Sequence, residues 1–322
     1  DFNLSESHKL TARWNYLNSV NDNSPSRFRG TADVYSENAR YKLINKTHSF
    51  AVQLTSLFGN AASNELIVGY NDQFDNPTFY GQPFPVLEVR TRSVAPAVTT
   101  DNRLAAGSEE FRHRNELGQK VVEITDNFSL YLPDHTITLG VKLDFIKFRN
   151  LFIAGNFGFY QYNSVGAFLA GGAPAVYSHR YSATSNPLQE ANWAYQQYGF
   201  YVQDEWTVSP TLKIVGGLRI DVPTYTDKPN YNARFDSTFT ANGYSLSTDK
   251  LPKTSLAISP RLGFNWSVDE ERNTQVRGGV GIFYGRFPAV WVSNQYSNTG
   301  VDFFTMTQAT AGAPTTFNPN PF

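Results

Sequence analysis

Charged residues of both signs recur at alternate positions in several stretches of this 322-residue chain. Glu123, Lys142 and Asp144 are typical, because each has an apolar residue immediately before and after it. Such charges can line a polar path for a ligand or contact another domain. Since a buried charge needs a partner, we expect most of them to form a neutralising ion-pair lattice. The candidates are Glu123, Lys142, Asp144, Glu205, Lys213, Arg219, Asp221, Arg261 and Arg277.

The residue types needed for catalysis or for metal binding are few and dispersed. Cysteine is absent, which excludes thiol nucleophiles, disulfides and zinc–thiolate sites. The five histidines form no close pair with metal-ligand spacing, and we expect four of them in solvated loops, turns or strand ends. We therefore expect no enzymatic activity, no metal and no cofactor. The histidines are His8, His48, His113, His135 and His179.

One carboxylate-rich segment suggests calcium binding, but only weakly. The carboxylates lie in or beside a single long loop and lack the spacing of an EF-hand. A solvated loop surface is the stronger interpretation. The residues are Asp72, Asp75, Asp101, Glu109 and Glu110.

Two aromatic segments, 79–85 and 296–304, are candidate ligand-binding loops. Aromatic rings provide a large contact area with little loss of entropy, so exposed aromatic loops often bind ligands or sugars. The same rings could instead pack against one another or against lipopolysaccharide. The candidates are Phe79, Tyr80, Phe84, Tyr296, Phe303 and Phe304.

The charged residues are positioned by segments whose hydropathy alternates with a period of two. In one segment Phe200 and Val202 fall on one face, whereas Gln203 and Glu205 fall on the other. This period is that of a β-strand with one apolar and one polar face. We count about nine such segments of roughly 10–14 residues, long enough for a tilted strand to cross a bilayer. Aromatic residues such as Trp206 lie near segment ends, as expected of an interfacial girdle.

The connections between these segments alternate between very short and very long. Transmembrane β-barrels have short periplasmic turns and long outward loops, so the alternation predicts an antiparallel barrel of this kind. A soluble sandwich, which predicts shorter strands, is the weaker alternative. Short turns are expected at 132–135, 208–211 and 268–272, and long loops at 19–46, 75–115, 150–192 and 223–257.

Composition agrees with a barrel and limits the partners. The formal net charge of -1 gives no indication of nucleic-acid binding. No apolar run approaches the roughly 20 residues of a membrane helix. About nine strands cannot remain an open sheet in lipid, where every edge must be paired, so we expect the chain to be a section of a larger barrel.

Several segments together resemble the barrel of TonB-dependent receptors, in particular the Oar-like group, whose plug typically follows a carboxypeptidase-regulatory-like domain. The resemblance implies an all-β, antiparallel, 22-stranded transmembrane barrel filled by an N-terminal plug. Residues 1–322 would be part of that barrel domain, without the plug and the C-terminal strands. The segments include 196–206 (QQYGFYVQDEW), 216–223 (GGLRIDVP), 259–265 (SPRLGFN) and 277–285 (RGGVGIFYG).

The resemblance implies a location in the Gram-negative outer membrane and TonB-dependent uptake of a bulky nutrient, such as an oligosaccharide, a peptide or a metal chelate. Its implied partners are outer-membrane lipid, lipopolysaccharide, the TonB–ExbB–ExbD complex through the plug, and a surface lipoprotein. The alternative is an Oar-like surface structural, assembly or export protein without import activity, and a passive porin is a third possibility. A plug would exclude the porin, whereas an uptake assay separates the first two.

Overall fold

Strands account for most of the regular structure in the computed structural model. The structure describes residues 1–24, 34–91, 102–269, 271 and 273–322. In chain order the strands are β1 (Phe2–Asn3), β2 (His8–Asn23), β3 (Val34–Tyr35), β4 (Tyr41–Phe58), β5 (Ala62–Phe79), β6 (Val86–Arg90), β7 (Arg103–Ala106), β8 (Asn115–Tyr131), β9 (His135–Phe152), β10 (Phe159–Tyr162), β11 (Val176–Ser182), β12 (Ala191–Ser209), β13 (Leu212–Tyr225), β14 (Ala257–Ser267), β15 (Gln275–Gly281) and β16 (Phe303–Thr307).

The helices are short and lie in the connections. Within the described ranges, none of them is long and apolar enough to cross a membrane. The α-helices are α1 (Val165–Leu169), α2 (Ala233–Ala241) and α3 (Ala289–Ser297), and the 3-10 helices are Glu37–Ala39 and Glu110–Arg112.

Ten strands form one sheet in the order β1-β2-β4-β5-β8-β9-β12-β13-β14-β15, and every neighbouring pair is antiparallel. We call it the barrel sheet. It confirms the predicted all-β antiparallel fold, and nine of its strands correspond to the nine alternating segments. The sheet is open, with β1 and β15 at its edges.

Most strands of the barrel sheet are longer than the sequence predicted. From β4 to β12 they contain 17 to 19 residues, because they continue into segments predicted to be loops. The long connections shrink accordingly to residues 24–40, 80–114, 153–190 and 226–256. Charged and polar residues interrupt the apolar pattern at these strand ends. Alternation alone therefore predicted strands that were too short.

Short and long connections alternate as predicted, which puts all the long loops at one end of the barrel sheet. The turns 132–134 and 210–211 join long strands at the opposite end. The turn at 59–61 was not predicted; its Gly59 has a φ of +60°, a conformation that glycine adopts without steric cost. In the predicted turn 268–272, Glu270 and Arg272 lie outside the described residues.

One face of the barrel sheet is apolar and exposed across its whole width. Trp14, Phe50, Phe200 and Leu262, which come from four different strands, all lie on this face and are more than 40% exposed. Monomeric soluble proteins rarely expose an apolar surface of this extent. A bilayer supplies the hydrocarbon that such a surface requires.

Two carboxylates that interrupt the apolar face have nearby partners. Asp126 accepts a hydrogen bond from Asn64 Nδ2 at 2.8 Å. Asp204, next to a short turn, lies 2.8 Å from His135 Nδ1. These partners lower the cost of placing a carboxylate on a face that meets lipid.

Described parts of the long connections, together with β16 from the segment after β15, form a second sheet, which the sequence did not predict. This six-stranded loop sheet has the order β16-β11-β10-β6-β7-β3 and draws strands from several loops. Its β10–β6 and β3–β7 pairs are parallel. Tyr160, Tyr162 and Tyr177 are buried in its core, beside Val89.

His113 is buried between the segment that precedes β8 and the segment that follows β9, so the expectation of a solvated side chain is wrong for this residue. It is 2% exposed, and its Nδ1 accepts a hydrogen bond from Phe157 N at 3.0 Å. Its Nε2 lies 2.9 Å from the carbonyl oxygen of Ser108. Burial lowers the pKa of His113 from 6.5 to about 4. The imidazole is therefore neutral at neutral pH.

Candidate functional site

The strand register places all nine predicted charges on the face opposite the apolar one, which we call the inner face. Glu123 pairs across the sheet with Asp144, and Tyr201 pairs with Arg219. The same parity continues through β14 and β15, where Asn265 is opposite Arg277. Sequence alternation and strand register therefore agree on which side these charges occupy.

The first group of inner-face charges surrounds Asp144, which is 2% exposed. Lys142 Nζ lies 2.9 Å from Glu123 Oε1 and 3.9 Å from Asp144 Oδ1. Arg286, from the segment after β15, donates a hydrogen bond to Asp144 Oδ2. Two cations thus face two carboxylates, and the group is close to neutral.

The second group is centred on Asp221, two strands away. Arg219 binds its carboxylate through two parallel hydrogen bonds, both of 2.7 Å. Gln197 Nε2 donates a third hydrogen bond at 2.8 Å. The guanidinium carbon of Arg219 also lies 5.3 Å from the ring centre of Tyr201. This bidentate geometry fixes both side chains more firmly than a single contact would.

Glycines on the inner face provide the space that these side chains occupy. A Cβ atom at Gly199 would lie 2.2 Å from Arg219 Nη2. One at Gly140 would lie 2.0 Å from a ring carbon of Tyr201. The long side chains therefore lie flat across neighbouring strands, and only glycine fits beneath them.

The third group lies towards the short-turn end and is more exposed. Lys213 Nζ lies 2.5 Å from Glu205 Oε1. The guanidiniums of Arg261 and Arg277 each donate to a glutamine amide oxygen, of Gln203 and Gln275 respectively, at 2.5 Å. Both of these partners are uncharged amides, so these contacts are hydrogen bonds and not ion pairs.

The inner face therefore combines neutral ion-pair groups with two arginines whose hydrogen-bond partners, among the residues that the structure describes, are amides. Paired charges form a polar surface that hydrogen-bonds water or another protein segment without a large net field. Its chemistry is that of a polar contact surface, and the nine candidates remain predictions for plug or substrate contacts.

Sequence reasoning missed the partners that complete these groups. Arg286 lies 142 positions from Asp144, so no local pattern indicates their contact. Gln197 and Tyr201 share the inner-face alternation, and a search for polar partners among uncharged residues of that face would have found them.

The residues that follow β15 fold back over the loop end of the inner face. Trp193 of β12 is 2% exposed and stacks on Phe148, with ring centres 4.3 Å apart. Its Nε1 donates to Ser293 Oγ of α3 at 2.9 Å. Phe287 packs edge-on against Tyr195 at 5.3 Å. This aromatic cluster covers the inner face just above the Asp144 group.

The six aromatic loop candidates do not come together in one place. Tyr296 is buried, 8% exposed, and stacks with Trp193 at 5.9 Å. Tyr80 donates to Asp22 near the end of β2. The remaining four contact different neighbours: Phe79 contacts Phe157, Phe84 contacts Phe317, Phe303 lies beneath Arg180, and Phe304 contacts Tyr181. Packing accounts for most of these rings, and a ligand role for them stays a prediction.

The proposed calcium ligands also separate in the structure. Within the described ranges, no group of three or more His, Asp or Glu side chains could hold a metal ion. Asp72 and Asp75 lie on β5, whereas Glu109 caps a 3-10 helix by accepting from Phe111 N. Asp101 lies outside the described residues.

An antiparallel sheet with one exposed apolar face, one polar face of paired charges and long loops at a single end defines a class of protein, the outer-membrane β-barrel. The model of the outer membrane beta barrel domain family matches residues 1–322, and the chain belongs to that family. The protein is therefore located in the outer membrane of a Gram-negative bacterium, and the inner face lines the barrel lumen.

Two of the solved structures that match this chain are outer-membrane transporters. The outer membrane transporter YddB from Escherichia coli matches with a TM-score of 0.52 and 12% sequence identity, over 88% of this chain and 31% of YddB. The copper transporter OprC matches with a TM-score of 0.43 and 13% identity, over 84% of this chain and 38% of OprC. The likeness to YddB, at 12% identity, concerns the fold alone, and the chain spans about a third of the length of each protein. No sequence among the curated proteins matches this chain.

Proposed function

We propose that this chain is a section of the barrel of a TonB-dependent transporter of the Oar-like group, which imports a bulky nutrient such as an oligosaccharide, a peptide or a metal chelate. The observation that carries the proposal is the inner face, whose charges are held in ordered pairs across four strands. An ordered polar wall suits docking of a folded plug, which needs fixed hydrogen-bonding partners.

The span of the chain supports a large barrel. The match to YddB includes 88% of this chain but only 31% of that transporter. The ten-stranded barrel sheet has two edges, β1 and β15, and a barrel must close in lipid. Further strands and a plug from the same polypeptide would complete such a barrel, and the plug would carry the contact with TonB–ExbB–ExbD. A surface lipoprotein that covers the loop sheet is a further proposed partner.

The first experiment determines the intact mass of the native protein and its binding to the isolated C-terminal domain of TonB. The protein is extracted from outer membranes in mild detergent. A plug with a full barrel requires about 100 kDa, and we expect that mass together with retention on immobilised TonB domain. A native mass equal to the 36.1 kDa of this chain would overturn the proposal.

An uptake experiment separates import from a surface structural role. Cells with and without TonB receive a fluorescent oligosaccharide, a fluorescent peptide pool or a radiolabelled ferric chelate. We expect TonB-dependent accumulation of one of these probes. A protein that binds TonB but accumulates none of them would favour the Oar-like structural or assembly alternative.

A pair of variants tests whether the inner-face groups lie on the transport path. Arg219→Gln removes the bidentate partner of Asp221, and we expect slower accumulation with unchanged amounts of protein in the outer membrane. Arg234→Gln, on the exposed side of α2, is the matched control and should transport normally. Equal rates for both variants would assign Arg219 a structural role only.

A further inference from the structure

A cavity of about 350 Å³ lies among the long loops, at the end of β13. Residues of the connection 226–256 form one side of it, and residues of α3, from the segment after β15, form another. Ligand-binding cavities commonly measure about 300–1,000 Å³, so this one is large enough for a bulky side chain and too small for a large glycan. The long loops of an outer-membrane barrel face the outside of the cell, where a nutrient first meets the protein.

Much of the cavity wall is apolar. Leu251 and Val292 contribute aliphatic side chains, and Phe235 of α2 contributes a ring. Among the described residues that line the cavity, the single charged one is Lys250, which is exposed and directly follows Asp249 of opposite charge. Charge therefore contributes little to the choice of ligand, whereas an apolar group gains free energy by leaving water for this space.

Two side-chain amides also line the cavity, at the end of α3. Gln295 and Asn298 are three positions apart, a spacing that places both on one side of a helix. Asn298 Oδ1 accepts a hydrogen bond from Arg180 Nη2 at 3.0 Å, which leaves the Nδ2 group of Asn298 as a donor. The exposed amide of Gln295 forms no hydrogen bond within the part of the chain that the structure describes. Such amides both donate and accept, which matches the N–H and C=O of a peptide group.

This lining favours a peptide over an oligosaccharide or a metal chelate. A sugar hydroxyl that is buried without a hydrogen bond costs free energy, and the aliphatic walls formed by Leu251 and Val292 offer it no partner. The ring of Phe235 already packs against Phe239, with ring centres 4.4 Å apart, which reduces the ring surface left for a sugar. A charged chelate would find a single charged side chain in the lining, that of Lys250.

The helix α3 contributes both to the cavity and to the cover of the inner face. Ser293 of α3 accepts a hydrogen bond from Trp193 Nε1 at 2.9 Å, within the aromatic cluster above the Asp144 group. Tyr296 lines the cavity, stacks with Trp193 in the same cluster and donates to the carbonyl oxygen of Asp227. A ligand in the cavity would therefore contact the same helix that covers the inner face.

We propose that this cavity binds an apolar side chain of a peptide, while Gln295 and Asn298 form hydrogen bonds with the adjacent peptide group. Burial of the apolar side chain supplies the affinity, and the two amides fix its position. The inference narrows the imported nutrient to peptides, and in that respect it rests on the proposed function. Binding itself requires neither TonB nor transport.

The test compares Leu251→Trp with wild type in the intact outer-membrane protein, kept in detergent. The larger side chain fills the cavity, whereas the matched control Leu246→Trp changes a 45% exposed leucine of the same connection that does not line it. The probe is a capped, fluorescein-labelled heptapeptide with a central leucine flanked by serines, and fluorescence polarisation measures its binding. We expect affinity about tenfold weaker for Leu251→Trp and unchanged affinity for the control. Equal affinity of wild type and Leu251→Trp, or no binding to wild type, would overturn the proposal.

Further probes identify the occupant. Heptapeptides with a central serine or aspartate should bind wild type about tenfold more weakly than the leucine peptide. Equal affinities for the three peptides would overturn recognition of an apolar side chain. Maltoheptaose and ferric citrate should not displace the leucine peptide, and displacement by either would assign the cavity to a sugar or a chelate instead.

A second pair of variants serves if Leu251→Trp fails to assemble. Gln295→Ala removes one amide and should weaken binding of the leucine peptide about fivefold. Asn294→Ala, at the adjacent exposed position of α3, does not alter the cavity lining and should bind like wild type. Equal affinity of these two variants would overturn the part assigned to the Gln295 amide.

Binding and uptake fail separately, so the site and the proposed import can be told apart. A protein that binds the leucine peptide but accumulates no peptide would contradict import and leave the site in place. TonB-dependent uptake by a protein that binds none of the peptides would contradict the site and leave import in place.

Discussion

The apolar side chains of the barrel sheet and of the loop sheet are covered in opposite ways. In the barrel sheet, large apolar side chains such as Phe200 and Val280 point outward and are exposed, because lipid covers them. In the loop sheet, Val86, Tyr160 and Tyr162 are all buried by the protein itself. Water surrounds the loops, so this region must build its own core, as a small soluble domain does. The two regions should therefore respond differently to the same kind of substitution.

The largest expected difference comes from removing a ring from the loop sheet. Tyr162 is 1% exposed and packs edge-on against Phe168 at 5.2 Å. Tyr162→Ala should destabilise the loop sheet by about 3–5 kcal/mol, since it leaves a cavity in a packed core. Hydrogen exchange in β6, β10 and β11 should accelerate strongly while β12 stays protected.

The matched control is Phe200→Ala, on the lipid-facing side of β12. Lipid chains fill the space that the ring leaves, so we expect no comparable opening of either sheet. Equal acceleration of exchange in β10 by both variants would show that the two regions share a single core.

A smaller effect should follow from pH through His113. Its pKa is lowered to about 4, chiefly because burial disfavours the charged imidazole, and Arg114 and His179 add to the shift. When this region opens, His113 regains a pKa near 6.5. Above that pH neither the folded nor the opened state binds the proton, so the free energy of opening is at its maximum. Between pH 6.5 and about 4 only the opened state is protonated, and stability falls as pH falls. We expect a loss of about 2 kcal/mol between pH 7 and pH 5.

The measurement is urea-dependent proteolysis of the loops at both pH values, with the barrel kept in detergent. His113→Phe should remove most of the pH dependence, because phenylalanine does not titrate. His8→Gln is the control, since His8 lies on β2 of the barrel sheet and outside the loop sheet. A pH dependence that persists in His113→Phe would mean that other groups control the opening of the loop sheet.

The contrast between the regions also explains what could be predicted from the sequence. Strand identity and the side of each charge were predictable, because a period of two fixes the face of residues such as Glu123 and Arg219 once one of them is placed. Register follows from the short turns, which leave neighbouring strands little freedom to slip.

The loop sheet was not predictable by the same argument. Its parallel β6–β10 pair joins segments about 70 residues apart and carries no alternation long enough to recognise. The burial of His113 depends on Phe157, 44 positions away. The pairing of Lys120 with Lys147 can be predicted from the sequence, but only once the register between β8 and β9 is known.

The last comparison is between the two faces of the barrel sheet itself. At Gly199 on the inner face, a methyl group would meet Arg219 Nη2 at 2.2 Å and Asp221 Oδ1 at 2.9 Å. Arg219 must then move, which breaks its two parallel hydrogen bonds, and we expect Gly199→Ala to cost about 1–3 kcal/mol. At Gly216, on the lipid-facing side of β13, a methyl carbon would have no atom of the described residues within 4 Å, so Gly216→Ala is the matched control.

Urea unfolding of both glycine variants in lipid vesicles measures this difference. A lower midpoint for Gly199→Ala alone would mean that side-chain packing on the barrel sheet is confined to its inner face, while the outer face leaves packing to lipid. Equal midpoints would mean that Arg219 finds another position on the inner face at no cost, and the ion pair with Asp221 would then contribute little to stability. The two outcomes thus separate an inner face held in one arrangement from one whose charges exchange partners freely.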